Sequence, residues 1–134
     1  MRANPRAPPG LMGISMQMKP TALVVEDDDI QRSIVALLLE ECEMTVIECD
    51  SGEDAALVLR DAGHGLSMIY ADAHLAGAMS GIELAHLAKQ RFPNLHVVVS
   101  SGDLTLKLPH GATFMPKPWR PLDLLREAER SRAS

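Results

Sequence analysis

The sequence predicts an α/β fold: a doubly wound, five-stranded parallel sheet with helices on both faces. Three observations carry this prediction. Short apolar runs, Thr21-Ala-Leu-Val-Val25, Leu66-Ser-Met-Ile-Tyr70, His96-Val-Val-Val99 and Ala112-Thr-Phe-Met115, are bounded by turn formers. Runs of this kind read as strands buried on both faces. Helical periodicities separate them, and strand–helix alternation gives parallel strands joined by right-handed crossovers. Each run also stops at a polar signal: Glu26-Asp27-Asp28, Asp72, Ser100-Ser101-Gly102 and Pro116-Lys117-Pro118. Ligands of open α/β sheets bind at the carboxyl ends of the strands, at a switch in strand order, so the four signals should meet on one edge.

The elements follow in order. After the first strand, Asp28 or Asp29 can cap a helix reaching about Cys42, with Ile30, Ile34 and Leu38, joined by Val35 and Leu39, on its inner face. Met44 to Cys49 alternates as a second strand. Ser51, with Asp54 at the third helical position, opens a helix through Ala55, Leu59 and Ala62, which Gly63 and Gly65 end. The third strand delivers Asp72 into a loop, Ala73 to Ser80. Gly81 starts a third helix, with Leu84, Leu87 and Ala88 turned inward, which Phe92-Pro93 closes. Leu95 to Val99 is the fourth strand and Ala112 to Met115 the fifth. A final helix from about Pro121 to Arg132 carries Leu122, Leu125 and Ala128 as its inner stripe, with arginines near its carboxyl end. Between Gly102 and Phe114 there is too little chain for a regular crossover helix, and Pro109-His110-Gly111 breaks it. One turn or an irregular loop is expected from about Asp103 to Lys107.

With 134 residues the chain has room for one ordinary domain with a real core. The opening, residues 1–19, is rich in Pro and Gly and reads as a disordered leader before a domain over residues 20–134. A formal charge of −5 leaves no basic footprint for nucleic acid, and no apolar stretch approaches the ~18–20 residues of a membrane span. The absence of an apolar signal-peptide core points to the cytoplasm. Cys42 and Cys49, the only two cysteines, make no disulfide framework and read as inert packing or surface thiols.

Several carboxylates, a hydroxyl and a lysine at one sheet edge are equipment for Mg²⁺ and a phosphoryl group. In order and spacing the set resembles the receiver domain of two-component response regulators, from about Thr21 to Arg132, which has a flavodoxin-like fold. The resemblance implies that Asp72 is the phosphoacceptor and that Asp27, Asp72 and Glu26, with the backbone carbonyl of His74, hold Mg²⁺. It implies that Lys117 balances phosphoryl charge and that Lys117-Pro118 is a cis peptide. Ser100, or its neighbour Ser101, would donate a hydrogen bond to the phosphoryl group, and Phe114 would be the switch aromatic behind it. Phe114 also reads as core packing, and Trp119 as packing or a partner contact. The implied partner is a histidine kinase or histidine phosphotransfer protein, with output by protein contact or phosphate shuttling. Such a domain is no enzyme in the usual sense; it catalyses its own phosphorylation and dephosphorylation.

Departures from the family pattern are local. The position four residues past Asp72, usually proline, is Ala76, and the stretch to Gly81 is one residue longer than usual. His74 shows no metal-ligand spacing with His64, His86, His96 or His110; its side chain could reach the phosphoryl site, and the other four read as surface residues. Two rival functions remain: a degenerate receiver acting as a phosphorylation-independent interaction module, and an aspartyl-phosphate hydrolase of another α/β fold. The latter usually carries a second aspartate where this chain has His74.

Overall fold

The apolar runs form one sheet in the computed structural model, which describes residues 19–133. The expected leader, apart from Lys19, lies outside the described residues. The strands are β1 (Thr21–Val25), β2 (Thr45–Cys49), β3 (Met68–Asp72), β4 (His96–Ser101) and β5 (Thr113–Pro116), in the order β2-β1-β3-β4-β5. All pairings are parallel. The chain leaves β1 in one direction and returns to β3 on the other side, so a crevice opens above β1 and β3. Register brings the strand ends level: Val25 pairs with Ala71, Asp72 with Ser100, and Ser101 with Pro116. The expected fold class is the one observed.

Side-chain alternation along the strands divides the core in two. Leu23, Val25, Ile69, Ala71, Val97 and Val99 pack against α2 (Gly52–Ala62) and α3 (Gly81–Arg91). Ala22, Val24, Met68, Tyr70, Val98 and Met115 pack against α1 (Asp29–Glu41) and α4 (Pro121–Ala133). Three helices start on side-chain caps. Asp28 accepts the Gln31 N–H at 2.9 Å, and Ser51 accepts that of Asp54 at 3.1 Å. Ser80 and Glu83 form a reciprocal capping box. A 3₁₀ turn over Gly63–Gly65 follows α2.

Two expected helix faces are rotated. In α1 the buried residues are Val35, Ala36 and Leu39, whereas Ile30 and Ile34 are 72% and 44% exposed. Six of its positions from Ile30 to Leu39 are large and apolar, so the stripe is wide enough for spacing alone to admit several faces. Contact with both the sheet and α4 selects the one holding Val35 and Leu39. In α4 the inward line is Leu124, Glu127, Ala128 and Ser131, while Leu122 is 48% exposed. His96, expected at the surface, is instead mostly buried, with Nε2 2.8 Å from Glu127 Oε1. That pair lets a glutamate occupy the inner face of α4, and it cannot be read from neighbours in sequence.

Residues 102–112 contain turns and irregular backbone but no helix. Asp103 Oδ1 accepts the Thr105 N–H and hydroxyl at 2.9 and 2.6 Å, bracing an irregular loop, the second of the two expected alternatives. Leu106, Leu108 and Ala112 from this segment pack on the α2/α3 side of the core, covering part of what a crossover helix would cover. No described helix is long and apolar enough to cross a membrane.

Candidate functional site

At the end of β1 the Glu26 N–H donates to the Cys49 carbonyl at 3.1 Å, carrying the ladder one residue further. The Glu26 side chain therefore points inward and is only 2% exposed. Its Oε2 accepts the Asp28 N–H at 3.1 Å, while Oε1 is buried without a hydrogen-bond partner. Arg32 anchors this corner, giving Nη1 to the Glu26 carbonyl at 2.8 Å and its remaining nitrogens to Asp29 and Glu48. Burial pushes the Glu26 carboxyl up to about 7; the Asp28 N–H and Lys117 oppose this, and the Asp72 charge and Asp27 reinforce it. A carboxyl so placed favours a proton or a cation.

Asp72 closes β3 and is buried. Its Oδ1 accepts the His74 N–H at 3.1 Å and its Oδ2 accepts Lys117 Nζ at 3.0 Å. Lys117 is aligned by β5, its N–H donating to the Ser101 carbonyl at 2.9 Å, and the Lys117–Pro118 peptide is cis. Burial alone would lower the Lys117 pKa, but the bond to and charge of Asp72 carry it above the ordinary lysine value. The start of α3 comes so close that a Cβ on Gly81 would lie 1.9 Å from the Asp72 carbonyl oxygen, which explains glycine there.

Asp27 is exposed, and its Oδ2 accepts the Ala76 N–H at 2.9 Å from a loop 49 residues away. Proline at this position would offer no donor. Glu53 of α2 accepts the Ala78 N–H at 2.9 Å beside Gly77, whose φ is +103°. The lengthened loop is thus fastened by two carboxylates. Ser100 stands level with Asp72 and is fully buried, its Oγ lacking a well-formed hydrogen bond. Ser101 Oγ is engaged by the Asp103 N–H at 2.9 Å.

The structure therefore brings together Glu26, Asp27, Asp72, Lys117 and Ser100. His74 contributes its N–H, and its side chain is exposed. Phe114 is half-buried on the edge strand and joins neither core cluster, contrary to its reading as core packing. Sequence reasoning missed Arg32, Tyr70 and Glu53. A capping-box pattern signals Ser80–Glu83, but no local pattern marks these three. Both cysteines are packed away, and burial pushes their thiols up, that of Cys49 to about 11.

Glu26, Asp27 and Asp72 each offer an oxygen within 4.8 Å of the others. Three carboxylates facing one lysine leave unbalanced negative charge, and Glu26 Oε1, 3.9 Å from Lys117 Nζ and without a hydrogen bond, can serve as a ligand atom. An all-oxygen donor set of this kind fits a hard divalent cation such as Mg²⁺.

Comparison with known proteins agrees. The chain is 32% identical over 114 residues to ARR21 of Arabidopsis thaliana, named as a two-component response regulator, a match taking in 82% of this chain and 18% of that protein. It is 29% identical over 84 residues to the autoinducer 1 sensor kinase/phosphatase LuxN of Vibrio campbellii, covering 63% of this chain and 10% of that one. The chain thus spans no more than about a fifth of the length of these relatives. In fold it is similar to a response regulator receiver protein from Sinorhizobium medicae, with a TM-score of 0.78 at 20% identity, covering 87% of this chain and 96% of that one. Residues 22–128 match the response regulator receiver domain, and the chain belongs to that family, whose members accept a phosphoryl group from histidine kinases.

Proposed function

We propose that this receiver takes a phosphoryl group on Asp72 from the phosphohistidine of a histidine kinase or histidine phosphotransfer protein, then signals by protein contact or passes the group on. The supporting observation is Lys117 Nζ at 3.0 Å from Asp72 Oδ2, with two further carboxylates in reach. An Asp72 oxygen attacks phosphorus in line; the P–N bond breaks, its electrons return to the imidazole, and that ring takes up a proton. The lysine exchanges the carboxylate oxygen for a phosphoryl oxygen without leaving the site. Glu26, Asp27 and Asp72, with the His74 carbonyl, would hold Mg²⁺, which supplies shielding of the negative charges that otherwise repel each other. The Ser100 hydroxyl, lacking a settled partner, donates to the new phosphoryl oxygen.

The surroundings suit a helical donor. A cleft of about 710 Å³ joins Asp72 and Lys117 to an apolar wall of Ile34, Leu38, Trp119 and Pro121. A histidine-bearing helix could rest on that wall and present its phosphoryl group to Asp72. The kinase-linked relative LuxN supports this class of partner. A cytoplasmic location follows from the same reading.

Intact mass after incubation with acetyl phosphate or phosphoramidate, with and without Mg²⁺, tests the proposal. One Mg²⁺-dependent adduct, lost in Asp72→Ala, is the expected result. An adduct retained by Asp72→Ala refutes the assignment. No adduct and no beryllofluoride binding would favour a phosphorylation-independent interaction module.

A further inference from the structure

An aromatic pair, Tyr70 buried and Trp119 half-buried, lies between Ser100 and the α1/α4 side of the molecule. Tyr70 lies on β3 two residues before Asp72 and is 1% exposed. Trp119, just ahead of α4, donates its indole Nε1–H to the Tyr70 hydroxyl at 3.2 Å, with the rings edge-on and their centroids 6.0 Å apart. On the neighbouring strand Tyr70 pairs with Val98 and Asp72 with Ser100, so alternation puts the Tyr70 and Ser100 side chains on one face. Ser100 Oγ approaches the Tyr70 hydroxyl closely enough to favour its ionised form, against the stronger upward push of burial, yet has no well-aligned hydrogen bond.

Donor chemistry fixes the direction of this chain. An indole N–H can only donate, so the Tyr70 oxygen accepts from Trp119 and keeps its own proton to give. Ser100 Oγ is a buried acceptor on the same face, and accepting from Tyr70 would leave its own proton to give elsewhere. Hydrogen bonds aligned in one sense polarise one another. A buried hydroxyl without a well-formed bond is costly to leave unsatisfied, so Ser100 responds readily to a new acceptor.

We propose that Tyr70 is the positioning residue of the switch, coupling Ser100 to Trp119 so that filling of the Asp72 site is read on the face made by α1 and α4. This rests on the phosphoacceptor reading of Asp72. When a phosphoryl group gives Ser100 an acceptor, the serine turns towards it, the Tyr70 hydroxyl follows, and the Trp119 N–H loses or re-aims its bond. Trp119 lines the same cleft as Ile34 and Leu38, so the change appears where a partner would sit.

The chain has one tryptophan and one tyrosine, which makes the test direct. The protein is titrated with beryllofluoride and Mg²⁺. Occupancy is followed by ¹⁹F NMR, and the Trp119 indole by its ¹H–¹⁵N resonance and by fluorescence. The expected result is an indole shift that tracks occupancy in the parent and is largely lost in Tyr70→Phe at full occupancy. An occupied parent with an unmoved indole overturns the relay, and so does an equal shift in Tyr70→Phe, which would mean that Trp119 senses the adduct directly. If Tyr70→Phe does not fold, Ser100→Ala decides in its place, because an undiminished shift without that hydroxyl also overturns the relay. A parent that binds no beryllofluoride instead removes the phosphoacceptor reading, and the relay with it.

Discussion

Replacing Glu26 with glutamine should stabilise the metal-free protein at alkaline pH and leave it unaffected in acid. Glu26 titrates at about 7 in the folded chain against an ordinary 4.5, because it is buried and lies beside Asp72. Between those values the folded state holds a proton that the unfolded state has released, so stability falls as pH rises from about 4.5 to 7 and levels off above. At about 1.36 kcal/mol per pH unit the full cost is about 3 kcal/mol. The amide can keep the Asp28 N–H bond but leaves Lys117 with one fewer anion, so a net gain of about 1–3 kcal/mol is expected at pH 8. For a domain of this size that is roughly 3–10 °C in Tm. The assay is thermal unfolding by circular dichroism from pH 4 to 8, parent against Glu26→Gln, in EDTA and in Mg²⁺. A cation among the carboxylates removes the cost of ionising Glu26, so Mg²⁺ should raise the parent's Tm more at pH 8 than at pH 5. Parallel Tm profiles for the two proteins would refute the reasoning, because they would mean that Glu26 titrates normally.

Three further outcomes are expected. Gly81→Ala puts a Cβ where the Asp72 carbonyl stands, and should slow adduct formation from acetyl phosphate about tenfold or more while helix content is kept; an unchanged rate would show that the contact does not position Asp72. Ala76→Pro removes the donor to Asp27, worth about 0.5–1.5 kcal/mol, so amide exchange at Gly77 and Ala78 should quicken about 2–10-fold. Unaltered exchange would mean that Glu53 alone fastens the loop. Leu39→Ala should cost about 2–5 kcal/mol in urea unfolding and Ile30→Ala within about 0.5, and similar costs would contradict the burial of α1.

The site was legible because its parts sit at strand ends, where an apolar run stops at a polar residue and the sheet supplies the rest. Asp72 and Ser100 are level because β3 and β4 pair in register. Helix faces were less legible. α1 carries apolar residues around much of its circumference, and α4 turns Glu127 and Ser131 inward, so long-range contact decides which residues face the core. The same holds for contacts between distant residues. Arg32 reaches the Glu26 carbonyl and Glu48, Glu53 reaches the loop after Asp72, and Trp119 reaches Tyr70 across 49 residues. Each is a polar side chain whose partner belongs to another element, so nothing in its own segment marks it.

The missing crossover helix between β4 and β5 bears on how such a site can report its state. Phe114 pairs with Val99, and alternation sets it on the α2/α3 face, across the sheet from Tyr70. On that side the irregular β4–β5 segment completes the cover that α2 and α3 provide, contributing Leu106, Leu108 and Ala112. It has no helical hydrogen-bond ladder, so displacing it disturbs few cooperative contacts. On the opposite face no such segment intervenes: α1 and α4 are in mutual contact, and Trp119 lies just ahead of α4. A hydroxyl that moves by about an ångström transmits more to a rigid, packed surface than to a loop that absorbs the displacement. Phe114→Ala should therefore leave the indole response to beryllofluoride close to that of the parent, whereas Tyr70→Phe removes it. The reverse ranking would return the switch to the β4–β5 side despite the missing helix.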